Sequence, residues 1–261
     1  MKSKIAIVIS ALFVALTMTA CGSSEPADAP SVADSDKSIV QEKLNKKQTK
    51  TQASEVEEPA ETEAPEADEA APETTPAETE AAQPETDDTG TNILVAYFSR
   101  ADENYNVGTI EKGNTQVVAE YIADEVGADS FHIETVTPYP TGYDECCDVA
   151  KEEQENGARP GISGSVDNME QYDIVFLGYP IWWGDLPMAV YTFMERYDWS
   201  DKVVIPFCTH EGSGLSGTDS SIASVTGAQV LTAIDMRGST AQELNDDTKQ
   251  AVRTWLEDLG F

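Results

Sequence analysis

From Asn92 onward, short apolar runs alternate with amphipathic stretches. Ile93-Leu94-Val95-Ala96-Tyr97-Phe98 is an unbroken run of strand length, and Val117, Val118, Tyr121, Ile122 and Val126 then recur at helical spacing. Phe131-His132-Ile133 is a weaker strand. Thr141 to Asn156 predicts a polar-faced helix closing near Gly157 and Pro160. Asp173 to Tyr179 is again a fully apolar strand, and Pro187 to Tyr197 reads as a helix with proline in its first turn. Val203-Val204-Ile205 and Val230 to Ile234 supply strands four and five. Leu244, Thr248, Ala251, Val252, Trp255, Leu256 and Leu259 mark a closing helix. The segment Ser213 to Thr226, rich in Ser and Gly, gives the weakest helical pattern. Pro206 is placed near the end of strand four, because proline removes a ladder donor from a central strand. Strands apolar on both faces and alternating with helices predict an α/β domain over 92–261, built on a doubly wound parallel sheet of five strands.

The pattern before Asn92 is different. Lys2 and Lys4 precede an apolar run, Ile5 to Leu16, that is shorter than the roughly 20 residues needed to span a bilayer. It reads as the core of a signal peptide covering 1–20. It ends in Met18-Thr19-Ala20-Cys21-Gly22, a bacterial lipobox pattern with Met18 where leucine is usual, so Cys21 is expected to become a lipidated N-terminus. More than one acyl chain gives stable anchoring. From 21 to 91 the chain is mostly Glu, Ala, Pro, Thr and Asp, which cannot bury enough apolar surface to offset ordering. It is expected to be a disordered tether, spanning roughly 45–50 Å root-mean-square as a flexible coil. Its one basic patch, Gln41 to Lys47, reads as a solvated charge run.

Charge narrows the choice of partners. With 48 acidic against 16 basic residues the formal charge is −32, a field that repels nucleic acid and leaves the lipid anchor as the only membrane attachment. The four cysteines form no C-x-x-C pair, so neither a zinc site nor a disulfide framework is implied.

Ligands of open parallel sheets bind beyond the carboxyl ends of the strands, and three of those ends carry unusual loops. Ser99-Arg100 follows strand one, and Gly113-Asn114-Thr115 opens the next helix, where N–H groups and hydroxyls suit a phosphate. Strand three ends in Tyr179-Pro180-Ile181-Trp182-Trp183-Gly184-Asp185, whose adjacent tryptophans offer a stacking surface for a planar ring. Strand four ends in Thr209-His210-Glu211-Gly212-Ser213-Gly214, where glycines permit close backbone approach. Gly212 to Gly217 also matches G-x-G-x-x-G, but at the fourth strand and beside Glu211 it does not read as a dinucleotide site.

These blocks, with Ile93 to Arg100 and Phe207 to Gly214, resemble the flavodoxin-like family across essentially all of 92–261, Tyr-Pro-Ile-Trp-Trp-Gly being the most specific part. The resemblance implies strand order 2-1-3-4-5 and FMN as cofactor. It further implies that Ser99, Arg100, Asn114 and Thr115 hold the phosphate. Pro180, Ile181, Trp182, Trp183 and Gly184 would line one side of the isoalloxazine, and Thr209, Gly212, Ser213 and Gly214 the other. Gly184 would allow a peptide flip toward flavin N5 as the flavin is reduced. The insertion Ala101 to Lys112 interrupts a phosphate loop that is compact in ordinary flavodoxins.

No Ser-His-Asp set or metal cluster competes with flavin chemistry. His132 and His210 are lone histidines: His132 reads as structural, and for His210 a place near the flavin is the lesser of two readings; Cys146, Cys147 and Cys208 read as packing residues, the first two in one helix. With 29 acidic against 9 basic residues, the domain disfavours added negative charge on a flavin and lowers its potential. Two functions follow. One is a redox lipoprotein on the outer face of the bacterial cytoplasmic membrane, carrying electrons through FMN to an unnamed redox partner or, as an FMN-dependent oxidoreductase, reducing quinone-type acceptors with NAD(P)H. The other is a surface lipoprotein that uses the fold as a non-redox binding module.

Overall fold

The computed structural model describes residues 31–54 and 92–261. The expectations for the signal peptide (1–20), for Cys21 and for 55–91 lie outside the described residues.

In chain order the elements are α1 (Val32–Ser54), β1 (Ile93–Tyr97), β2 (Asp102–Asn104), β3 (Gly108–Ile110), α2 (Asn114–Val126), β4 (Asp129–His132), α3 (Tyr143–Glu155), β5 (Ile174–Pro180), α4 (Met188–Met194), β6 (Val203–His210), α5 (Thr218–Thr226), β7 (Gln229–Val230), β8 (Ile234–Arg237), α6 (Gly238–Glu243) and α7 (Asp246–Leu259). The main sheet runs β4-β1-β5-β6, with β7 and β8 both pairing with β6, and all its pairings are parallel. This is the 2-1-3-4-5 order of a doubly wound flavodoxin-like sheet, with its fifth strand in two pieces.

Strict alternation along the strands builds two cores. Leu94, Ala96, Val175, Leu177 and Tyr179 face one layer with Ala189, Val190 and Phe193 of α4 and Ile222 of α5. Ile93, Val95, Ile174 and Phe176 face the other, with Val118 and Ile122 of α2 and Val252 and Leu256 of α7. Because both faces are covered, β1 and β5 carry no polar position, which is why they stand out as continuous apolar runs.

Two expectations are corrected here. Pro206 lies in the middle of β6, not near its end, opposite Leu177 of β5. On the strand-five side Val204 O accepts from Leu231 N at 3.0 Å; backbone groups alternate sides along a strand, so the nitrogen of Pro206 also faces strand five. There the ladder is broken: β7 pairs as far as Val204↔Val230, β8 resumes at Phe207↔Ile234, and Leu231, Thr232 and Ala233 bulge past Ile205 and Pro206. The missing donor falls where no ladder bond is made. The closing helix is present as α7; Leu244 turns left-handed (φ 35°) after the short α6, and Asn245 caps α7, its Oδ1 accepting from Thr248 N at 2.9 Å.

The second correction concerns the disordered tether and its solvated charge run. Residues 32–54 form α1, which lies across the amino-terminal end of the sheet and beside α7. Val40 is fully buried, and Ile39 and Leu44 pack on the same core. The polar members of the same face bind backbone groups. Lys37 Nζ donates to Glu257 O (3.3 Å), Gln41 Nε2 to Gly260 O (2.5 Å) and Lys43 Nζ to Asp201 O (2.6 Å). Asp36, buried itself, accepts from Thr232 N (2.9 Å) and Thr232 Oγ1 (2.5 Å), while Trp255 Nε1 donates to Thr232 O (2.9 Å). The bulge in strand five is therefore satisfied by side chains instead of a ladder. Among its described side chains only Asp36 and Val40 are buried, and the buried carboxylate is paired.

Candidate functional site

A cleft of about 540 Å³ opens at the carboxyl ends of β1, β5 and β6. One end is formed by the start of α2, which the sequence builds by close contact. A Cβ on Gly113 would stand 2.2 Å from Ser99 Oγ and 2.5 Å from Arg100 O, so only glycine fits between the strand-one loop and the helix. Ser99 Oγ accepts from Gln116 N at 3.0 Å and so caps the helix from outside it. The N–H groups of Asn114 and Thr115 have no intrahelical partner, as at every helix start. Asn114 lines the cleft, and its Oδ1 is the buried side-chain oxygen left without a hydrogen-bond partner among the described residues.

Pro180, Ile181, Trp182 and Trp183 form one wall. The Trp182 ring is held edge-on by Phe98 (centroids 5.3 Å, 86°) and Tyr139 (5.0 Å, 89°). Tyr139 Oη in turn donates to Glu153 at 2.7 Å; burial raises the Glu153 carboxyl and pushes the Tyr139 phenol far above its ordinary value. Trp183 is different: the residue is 53% exposed, and its backbone is left-handed at φ 51°. With Gly184 at φ 79°, and with Trp182 and Asp185 exchanging N–H···O bonds of 2.9 and 3.0 Å, the Trp-Gly pair forms a tight turn of type I′ character. A bulky residue there costs on the order of 1–3 kcal/mol, and such strain collects at functional sites. The indole is fixed by Nε1 donating to Cys147 O (2.9 Å) and by Lys151 Nζ over the ring at 5.3 Å.

Thr209, His210 and Glu211 form the opposite wall. His210 Nδ1 accepts from Gly212 N (2.8 Å), so Nε2 carries the ring proton toward Asp235 Oδ1 (2.7 Å). The imidazole thus ties β8 to the glycine loop. His132 stacks on Tyr97 (4.8 Å, 15°), a packing position.

Of the residues singled out by sequence, Arg100, Asn114, Pro180, Ile181, Trp182, Trp183 and Thr209 line the cleft. The others stand behind or beside it. Thr115 is buried against Thr209, hydroxyl to hydroxyl at 2.8 Å, and Ser99 is engaged in capping. Gly184, Gly212, Ser213 and Gly214 belong to the flanking turns. The Arg100 guanidinium is committed to main-chain carbonyls, donating to Glu103 O (2.6 Å), Pro140 O (2.8 and 3.1 Å) and Thr141 O (2.5 Å). Sequence reasoning missed Asn104, Tyr105 and Tyr143, which also line the cleft. For Asn104 and Tyr105 the insertion after strand one was the only signal, and its fold as a hairpin (β2, β3) was not apparent from its composition; Tyr143 begins α3. Cys146 and Cys147 line the cleft as well. Burial pushes the Cys146 thiol up to about 11 and that of Cys208 up to about 12, so both are poor nucleophiles.

A doubly wound sheet with a helix start and an aromatic wall meeting at its carboxyl ends defines the α/β class that binds nucleotide-like cofactors at that edge. The family model described as flavodoxin matches residues 92–259, and the chain belongs to that family. Among solved structures it is similar to a protein of Bacteroides eggerthii DSM 20697 provisionally named a flavoprotein, with 28% identity and a TM-score of 0.52 over 65% of this chain and 98% of that one. It is also similar to a provisionally named flavoprotein of Bacteroides uniformis ATCC 8492, with 24% identity and a TM-score of 0.50 over 63% of this chain and 99% of that one. None of the curated proteins matches the chain.

Proposed function

We propose that the domain binds FMN in this cleft and passes electrons through it. We further propose that the chain is exported and held by lipid on Cys21 at the outer face of the bacterial cytoplasmic membrane. The observation that carries the cofactor reading is the end of the cleft at α2. Free N–H groups of Asn114 and Thr115 suit a phosphate, and the unpartnered Asn114 Oδ1 suits a hydroxyl donor, within one cleft walled by tryptophan. Membership of the flavodoxin family and the likeness to the Bacteroides eggerthii protein support the same reading.

FMN supplies the redox chemistry when bound. The chain's own residues do the rest. The α2 start and Asn114 orient the phosphate end, and Ser99 fixes that helix start by capping it. Trp182, clamped by Phe98 and Tyr139, is a rigid wall, whereas exposed Trp183 offers a ring face to a planar group. His210 holds the glycine loop in place through Gly212. The 29 acidic against 9 basic residues of 92–261 oppose further negative charge in the cleft, which favours a low potential.

The test is reconstitution of purified protein with FMN, read by visible absorption and flavin fluorescence. A bound flavin spectrum in the parent, and its loss in Gly113→Ala, whose methyl would overlap Ser99 and Arg100, are expected. A folded parent that takes up no flavin would favour the non-redox binding module. Release of Cys21→Ser from the membrane fraction checks the anchor.

A further inference from the structure

The insertion between β1 and α2 is an antiparallel hairpin, pairing Asp102↔Ile110, Glu103↔Thr109 and Asn104↔Gly108. Its base and its tip are tied to opposite sides of the cleft. At the base, Glu103 N donates to Thr141 O (3.2 Å), and Glu103 Oε2 accepts from Tyr143 N (3.0 Å) at the start of α3. Arg100 stitches the same base to the carbonyls of Pro140 and Thr141. At the tip, Asn106 is left-handed (φ 64°), and its Nδ2 donates to Glu211 Oε2 (3.0 Å) on the far wall. Glu211 is itself held by Ser239 N (3.2 Å) and faces Arg237 Nη1 at 3.9 Å. Between these anchors Asn104 and Tyr105 line the cleft, and the Tyr105 ring leans on Tyr143 (centroids 5.8 Å, 31°). The hairpin therefore bridges the cleft at the end where α2 begins.

We infer that this hairpin is a selectivity strap, admitting a flavin that ends in a single phosphomonoester and excluding a flavin dinucleotide. The inference rests on the cofactor reading above. A phosphate at the start of α2 has the hairpin beyond it, so a second phosphate and its adenosine must cross the space the hairpin spans. Charge acts in the same direction. The carboxylates of Glu103 and Glu211 stand at the two ends of the strap, while of the nearby cations Arg100 is committed to carbonyls and Arg237 to Glu211 itself, through its carbonyl at 3.1 Å and its carboxylate at 3.9 Å. An added phosphate would meet negative charge with no free guanidinium to answer it. The strap also slows release of the bound mononucleotide, because the Asn106–Glu211 contact must open first.

The experiment is fluorescence titration of the full-length protein with FMN and with FAD, plus the FMN dissociation rate, in the parent and three variants. Replacing Ala101–Lys112 by a short glycine linker should raise FAD affinity relative to FMN by at least about tenfold. Glu211→Gln should shift that ratio in the same direction. Asn106→Ala, which removes one exposed hydrogen bond, should speed FMN release by about fivefold with unchanged circular dichroism. Should the linker variant misfold, the two point variants decide the matter. If they reject FAD and release FMN as the parent does, the strap is overturned while FMN binding stands. A parent that binds neither flavin overturns the cofactor reading and the strap together.

Discussion

The two ends of the sheet are built on opposite principles. At the amino-terminal end, α1 lies over the strand starts and the polar side chains that face the domain find backbone partners: Asp36 at Thr232, Lys37 at Glu257, Gln41 at Gly260. Even the break in strand five is satisfied there. At the carboxyl end, Asn114 Oδ1 is buried without a partner among the described residues, Trp183 is strained and exposed, and the helix α2 keeps N–H groups with no intrahelical partner. A fold stabilised at one end leaves room for unsatisfied groups at the other. Those groups are where a ligand gains most, because its contacts replace a penalty already present in the protein.

The largest effect that separates the two ends is expected from Val40→Asp. It places an unpaired carboxylate at a fully buried position and removes apolar packing, which together cost about 4 kcal/mol. For a domain of this size that lowers the melting temperature by roughly 10 °C, while flavin affinity measured below the transition stays within about twofold. Trp183→Gly should behave in the reverse way. Glycine accepts the left-handed backbone, so thermal stability should hold or rise slightly, but loss of the indole should weaken flavin binding by about tenfold or more in fluorescence titration. A Trp183→Gly protein that lost stability and kept affinity would break the comparison. The smallest effect is electrostatic. Burial raises the Glu153 carboxyl, so the folded state holds its proton more tightly than the unfolded chain does. That contribution is fully present at acid pH and is lost as pH rises through the raised folded value. Denaturant titrations from pH 4 to 7 should therefore show the parent losing ground to Glu153→Gln as pH rises.

Much of this architecture is legible in the sequence because its causes are local. β1 and β5 are apolar on both faces, and an unbroken apolar run reports that directly. The tryptophan pair and Gly113-Asn114-Thr115 are contiguous motifs and reached the cleft region as such. What escaped depends on partners far along the chain. The face of α1 formed by Asp36, Lys37, Val40, Gln41 and Leu44 has helical spacing, but most of its members are polar: Asp36 is buried against Thr232, while Lys37 and Gln41, still exposed, are held by carbonyls at the end of α7. Hydrophobic periodicity is blind to such a stripe. Pro206 is tolerated in β6 for an equally remote reason, the bulge at Leu231–Ala233. Arg100 looked like a phosphate ligand from its place after strand one. Its donors go instead to carbonyls forty residues on, a commitment that no local motif announces.

The bond between Gln41 and Gly260 joins positions 219 residues apart. During synthesis the amino-terminal part of a chain emerges first, yet the groove that receives α1 exists only once α7 has been made and packed. The segment must therefore wait, solvated, while the central strands pair and the closing helix docks. Contacts of such long separation are made late, since the chain-closure entropy is met before they return anything. The docked α1 thus serves as a latch on the finished molecule: a chain cut short before Gly260 retains the α1 sequence but lacks the carbonyl that Gln41 binds.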